Sequence, residues 1–231
     1  MWHAPARGVI FDLDDTLYPR RRFVLSGFAA VARHVEATRG LPADRFYTTL
    51  CAAHDLARTG RELQVACAHA GLDASIIGEL VSVFRQHTPR LWLRHDATAA
   101  LGTLRAQGWR VAILTNGSPD VQARKVDALG LPALVDHILY ASAYAPEGKP
   151  APAAFMAALA RLGLAPGAAV MVGDDPQADI LGGRQAGLRT IRIRRRGIDT
   201  PMEEADAVID TLGSVPSTAA ALLEGVHRHA A

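Results

Sequence analysis

Cysteine is nearly missing from this chain: two occur in 231 residues, Cys51 and Cys67, at a spacing that fits neither a zinc site nor a redox dithiol. That excludes a disulfide scaffold. Both cysteines read as small apolar side chains in a reducing compartment. Excess charge is lacking as well: 25 Lys and Arg stand against 23 Asp and Glu, a net charge of +2. Nucleic-acid binding usually needs basic residues concentrated on one face, and so mild a balance does not suggest it. No uninterrupted apolar run approaches a membrane span. Met1-Trp2-His3-Ala4-Pro5 shows no basic segment followed by an apolar one, so no signal peptide is expected. The nine histidines show no paired metal spacing, and there is no internal repeat or low-complexity tract beyond alanine richness. The expectation is a soluble, cytoplasmic protein without a membrane or nucleic-acid partner, whose oligomeric state the sequence does not reveal.

What is present is enough apolar material, 49% of residues, for one good core and a smaller lobe. Val9 to Phe11 reads as a short buried strand that ends in Asp12-Leu13-Asp14-Asp15-Thr16-Leu17. On extended backbone Asp12 and Asp14, two apart, share a face. Two carboxylates placed so would repel each other and lose hydration, a conflict that a divalent cation removes. From about Arg22 to Thr88 the pattern turns helical. Val24, Phe28, Val31 and Val35 form one stripe, Phe46 and Leu50 another, a short helix covers about Glu62 to Ala70, and Ile76, Ile77, Leu80, Val81 and Phe84 make a fourth. Short loops between them predict a small antiparallel bundle.

Beyond Asp96 the chain alternates. Asp96 is expected to cap a helix that Gly108 ends, and Trp109 to Leu114 reads as a strand. Ser118-Pro119 opens a helix, and Asp136 to Ala141 is strand-like. A helix over Pro152 to Leu162 and a strand over Ala168 to Val172 follow. Next come a helix near Ala178 to Ala186, a strand over Leu188 to Ile193, an edge strand at Ala207 to Ile209, and a last helix around Thr218 to His227. Strands separated by single helices predict a parallel α/β sheet with helices on both faces. Ligands of such sheets sit at the carboxyl ends of the strands.

Four strand ends carry chemistry: Asp12 and Asp14; Thr115-Asn116-Gly117; Lys149 within Gly148-Lys149-Pro150; and Asp174, Asp175 and Asp179. Taken singly, each has a plain alternative. The second is an ordinary turn, the third a solvated loop, the fourth an acid-rich helix start. Together, hard carboxylate oxygens, a phosphate-binding hydroxyl and turn, and a lysine suit Mg²⁺ and a phosphate ester. Arg20, Arg21 and Arg22 read first as a solvated charged face, with contact to an anionic substrate as the other reading. Arg192, Arg194, Arg195 and Arg196 read the same way.

Asp-Leu-Asp-Asp-Thr-Leu after an apolar strand resembles the first motif of the haloacid dehalogenase superfamily, in its phosphatase branch, and the four strand ends resemble its four motifs in chain order. The resemblance implies a Rossmann-like core over residues 1–17 and 91–231, with a helical cap domain inserted at 18–90. It also implies a Mg²⁺-dependent phosphatase acting on a small phosphorylated metabolite. Asp12 would be the nucleophile and Asp14 the acid and base. Thr115 with the Asn116 and Gly117 amides would hold the phosphoryl oxygens, and Lys149 would neutralise charge and hold Asp12. The metal would take the Asp12 carboxylate, the Asp14 backbone carbonyl and Asp174, with Asp179 orienting a water there. Asp14 favours phosphoryl transfer over the carbon–halogen branch, where halide leaves unprotonated. Asp-Asp-Thr-Leu-Tyr-Pro resembles members related to pyrimidine 5′-nucleotidases, which points to a nucleoside monophosphate, with a sugar phosphate also open. A phosphomutase and a non-catalytic phosphate-sensing module remain the alternatives.

Overall fold

The computed structural model describes residues 6–57, 59–194 and 205–227. The N-terminal five residues and Arg195 and Arg196, discussed above, lie outside them. The chain divides into two compact units: one runs to Pro19 and resumes at Trp92, and the other is Arg20–Leu91.

The first unit is built on six parallel strands, β1 (Gly8–Phe11), β2 (Arg110–Thr115), β3 (His137–Tyr140), β4 (Ala169–Gly173), β5 (Arg189–Ile193) and β6 (Ala207–Ile209). They lie in the order β3-β2-β1-β4-β5-β6. β1 is central, with Val9 level with Val111 on one side and Val170 on the other. From β1 the chain winds out to β3, then returns to β4 and winds the other way. Loops diverge where that order reverses, which opens a crevice at the carboxyl ends of β1 and β4. All four residues of β1 and all five of β4 are buried, as expected of strands covered on both faces.

Helices α5 (His95–Ala106), α6 (Pro119–Ala128), α7 (Pro152–Leu162), α8 (Gly182–Gln185) and α9 (Val215–His227) flank the sheet. α7 lays Phe155, Ala158 and Leu159 on Ile10, Leu114 and Met171, a fully apolar layer. Asp96 does not cap α5. It sits in the first turn, and its carboxylate accepts from Leu212 N (2.9 Å) and Thr211 Oγ1 (3.1 Å), fastening the turn that leads into α9.

The second unit holds α1 (Arg20–Arg39), α2 (Ala43–Leu56), α3 (Glu62–His69) and α4 (Ile77–Gln86). Phe28, Val31 and Val35 of the expected stripe meet Phe46, Leu50 and Leu80, while Val24 is only partly covered. His54 and Glu62, both largely buried, join α2 to α3 at 3.1 Å. Arg21 is exposed and pairs with Asp55 at 2.9 Å. Cys67 is buried, Cys51 only partly, and neither is in a disulfide. Among the described residues no helix is long and apolar enough to cross a membrane.

Candidate active site

Asp12 directly extends β1: its N–H donates to Val172 O at 2.9 Å, so the first carboxylate is placed by the sheet's own hydrogen bonding. The chain then folds tightly back. Leu17 N donates to Leu13 O (3.1 Å), and Asp15 takes a positive φ of 57°, a conformation Asp tolerates better than most side chains. Leu13, Leu17 and Tyr18 are fully buried, which pins this loop under the crevice.

Lys149 is the electrostatic centre. Its Nζ lies 2.6 Å from Asp12 Oδ1 and 2.6 Å from Asp179 Oδ1, and all three side chains are almost wholly buried. Asn116 places it: Asn116 Nδ2 donates to Lys149 O (2.9 Å) and Lys149 N donates to Asn116 Oδ1 (2.8 Å). The Asn116 side chain is thus engaged with the lysine loop. Gly148, at φ 72°, makes room for that exchange, since a Cβ there would lie 2.5 Å from Asn116 Oδ1.

Asp179 arrives by an irregular route. In place of the expected regular helix over 178–186, Pro176–Leu181 forms a π-helical turn that leads into α8. The Asp175 carbonyl accepts from both Asp179 N (3.0 Å) and Ile180 N (3.3 Å). Such turns insert a residue into the helical ladder and re-aim the side chains around it. Asp175 is the cap, accepting from Gln177 N (2.8 Å) and Ala178 N (2.9 Å). Its own N–H donates to Asp179 Oδ2 at 3.1 Å. Gly173 leaves the space: a Cβ on it would lie 2.1 Å from Asp179 Oδ2.

Oxygens of Asp12, Asp174 and Asp179 lie within 4.8 Å of one another and could hold a metal ion. Thr16 Oγ1 steadies Asp174 at 3.2 Å. Burial drives Asp12 well above the usual carboxylate value; Lys149 opposes this, and Asp179 and Asp174 add to it. Burial likewise raises Asp179 against the pull of Lys149. Burial, then Asp179 and Asp15, push Asp174 up to about 7. Burial would lower Lys149, but Asp12 and Asp179 hold it above its ordinary value. Three carboxylates outnumber the one ammonium that meets two of them. A hard divalent cation is the chemical complement of that surplus.

Asp14 faces elsewhere. Lys125 Nζ lies 2.8 Å from both its oxygens, Gln122 Nε2 donates to Oδ2 at 2.9 Å, and the Tyr18 hydroxyl donates to Oδ1. Burial would raise Asp14, but Lys125, then Tyr18 and Gln122, bring it below the usual value. Gln122 also donates to Thr115 Oγ1, and Thr115 is buried. The structure thus gathers Asp12, Lys149, Asp174 and Asp179 at one point. Thr115 and Asp14 lie beside α6, and the exposed Gly117 turn precedes that helix. Sequence reasoning missed Gln122 and Lys125. The available signal was a polar pair three apart on a helix without an apolar stripe, opened directly at a strand end.

The family model described as haloacid dehalogenase-like hydrolase matches residues 6–187. A phosphoserine phosphatase of Thermus thermophilus is 40% identical over 117 residues, 51% of this chain, which spans about half, 47%, of that protein. A ribulose-1,5-bisphosphate 5-phosphatase of Halopiger xanaduensis is 33% identical over 221 residues, covering 87% of this chain and 88% of the relative. Among solved structures, a 2-haloacid dehalogenase from Pseudomonas syringae superposes with a TM-score of 0.63 at 28% identity, over 94% of this chain and 99% of that one. With a family model matching residues 6–187 and a relative 33% identical over most of both chains, the chain belongs to the haloacid dehalogenase-like hydrolase family.

Proposed function

We propose that the protein is a Mg²⁺-dependent phosphatase, which hydrolyses a small phosphate monoester through an aspartyl-phosphate on Asp12. The observation that supports this most directly is the meeting of Asp12 with Lys149 at 2.6 Å, beside Asp174 and Asp179, at the crevice of the sheet. An Asp12 oxygen attacks phosphorus, the bond to the leaving oxygen breaks, and that oxygen departs with a proton from Asp14, which its donors keep ionised at rest and which takes up that proton as the ester binds. Water then attacks the aspartyl-phosphate, gives a proton to Asp14, and releases inorganic phosphate with Asp12 restored. Lys149 aims Asp12 and offsets charge on the phosphoryl oxygens, which the Thr115 hydroxyl and the Asn116 and Gly117 amides hold. Asp179 keeps Lys149 in place. Mg²⁺ would be held by the Asp12 and Asp174 carboxylates and the Asp14 carbonyl, and when bound would supply the positive charge these groups lack.

Asp14 favours phosphoryl over carbon–halogen chemistry, because an alkoxide needs a proton and a halide does not. The relatives' names put phosphoserine and a sugar bisphosphate beside nucleoside monophosphates as substrates to try. The helical residues 18–90 are read as the cap that selects among them, and the cytoplasm as the location. The test is phosphate release from O-phosphoserine, ribulose 1,5-bisphosphate, hexose phosphates and nucleoside 5′-monophosphates, with and without Mg²⁺. Release is expected with the metal and is lost in Asp12→Asn. Turnover that survives in Asp12→Asn or in excess chelator would overturn the mechanism. Transfer to a sugar in place of water would make the enzyme a mutase.

A further inference from the structure

A buried lysine that contacts neither Asp12 nor Asp179 needs a reason. Lys125 is 5% exposed, and with Gln122, at 2%, it makes up most of the buried face of α6. An ion pair so placed is a poor way to stabilise a fold, since an apolar pair of the same volume would do as well or better. What the pair does is geometric. Four donor contacts from three side chains reach the two Asp14 oxygens: Lys125 on both at 2.8 Å, Gln122 on Oδ2 at 2.9 Å, and the Tyr18 hydroxyl on Oδ1. The Gln122 amide nitrogen has two hydrogens and meets two acceptors, Asp14 Oδ2 and Thr115 Oγ1. A threonine hydroxyl that accepts from Gln122 keeps its own hydrogen to donate. One turn of α6 therefore fixes both the carboxylate on one side and the hydroxyl on the other.

We infer that Lys125 and Gln122 are positioning residues, which hold the Asp14 carboxylate in place for proton transfer and aim the Thr115 hydroxyl. The inference rests on the phosphatase reading, in which Asp14 protonates the leaving oxygen. Its signature is therefore dependence on the leaving group. An aliphatic alkoxide must be protonated as it departs, whereas p-nitrophenolate leaves without help. The ratio kcat/KM reports the steps through release of the first product, so it isolates this one.

The experiment compares kcat/KM for p-nitrophenyl phosphate with that for the fastest aliphatic phosphate of the panel, in wild type, Lys125→Met and Gln122→Met, with folding checked by circular dichroism. In Lys125→Met the aliphatic value is expected to fall roughly 100-fold further than the aryl value, the scale of general acid catalysis. For Gln122→Met the expected shift of that ratio is roughly 10-fold. In both variants kcat falls on both substrates, because hydrolysis of the aspartyl-phosphate also needs Asp14. Folded variants that lose activity equally on both substrates in kcat/KM would overturn the inference and leave the phosphatase reading standing. Failure of both variants to fold would assign the pair to stability and overturn it as well. A wild type that releases phosphate from neither substrate would overturn the phosphatase reading itself.

Discussion

Replacing Gly173 by alanine adds one methyl group at the end of β4, and the surroundings decide what that does. The new Cβ would lie 2.1 Å from Asp179 Oδ2, 2.3 Å from its Cγ and 2.5 Å from its Cβ. Ordinary contact begins about 1 Å further out, so Asp179 must move by that much. It cannot do so freely, because Lys149 and the Asp175 N–H hold its two oxygens. Two terms compete. Removing glycine from the unfolded ensemble favours the variant by about 0.4–1 kcal/mol. Overpacking a closed site costs about 1–3 kcal/mol, and a loosened buried ion pair adds to that cost. The second term wins, so the urea midpoint should fall. Activity should fall further, since a misplacement of about 1 Å near the reacting atoms costs on the order of 100-fold. Steady-state kinetics on p-nitrophenyl phosphate, together with urea unfolding, test both. Gly173→Ala with kcat/KM within about twofold of wild type would show that Asp179 does not need its place against β4.

Three other outcomes are expected. Adding Mg²⁺ to chelator-treated protein should raise Tm, by about 2.7 kcal/mol of stabilisation at a hundredfold excess over Kd, and Asp174→Asn should lose most of that rise in a thermal melt. In the helical unit Leu50 is fully buried among Phe28, Val31 and Phe46, so Leu50→Ala should cost about 2–5 kcal/mol in urea unfolding; a loss below 1 kcal/mol would mean that the cavity collapses. Asp206 accepts from Thr190 N (2.8 Å), Thr190 Oγ1 (2.9 Å) and Arg189 (2.9 Å). Burial pushes Asp206 up, but these bonds bring it below its ordinary value. A depressed carboxylate stabilises above its unfolded value, near 4, and the contribution disappears as pH falls through the folded value. Asp206→Asn should therefore be less stable than wild type at neutral pH, with the gap closing in acid; urea midpoints that differ equally at both pH values would contradict this.

Much of the sheet could be read in advance because its strands are short apolar runs punctuated by glycine. Gly108, Gly130, Gly163 and Gly187 all take positive φ beside the element boundaries that their identity suggests. The strand-end aspartates were legible for a related reason: charged residues directly after buried runs have few structural uses. Lys149 lies in the loop between β3 and α7 and stood out only through the motif around it. What could not be read was side-chain direction. Asp96 is in the right place for a cap yet bonds to a segment more than a hundred residues away. Asp14 shares a strand-end motif with Asp12 but is drawn to α6, because the chain leaves the strand after Asp12 and folds back between Leu13 and Leu17. Gln122 and Lys125 belong to a helix whose polarity suggests solvent, and only the tertiary structure reveals what they face. The π-helical turn at Asp179 leaves no periodic trace in six residues.

Asn116 at the tip of β2 and Lys149 in the loop before α7 grip each other by amide and main chain, and this stitch changes how a defect at Asn116 should be interpreted. Cutting it should free the loop that presents the ammonium, so the injury would appear at Asp12, the proposed nucleophile, a strand away from the substituted position. A residue that looks like a phosphate ligand would then behave, when changed, as a hinge pin for its neighbour: the enzyme would still take up its ester but would hold Asp12 badly.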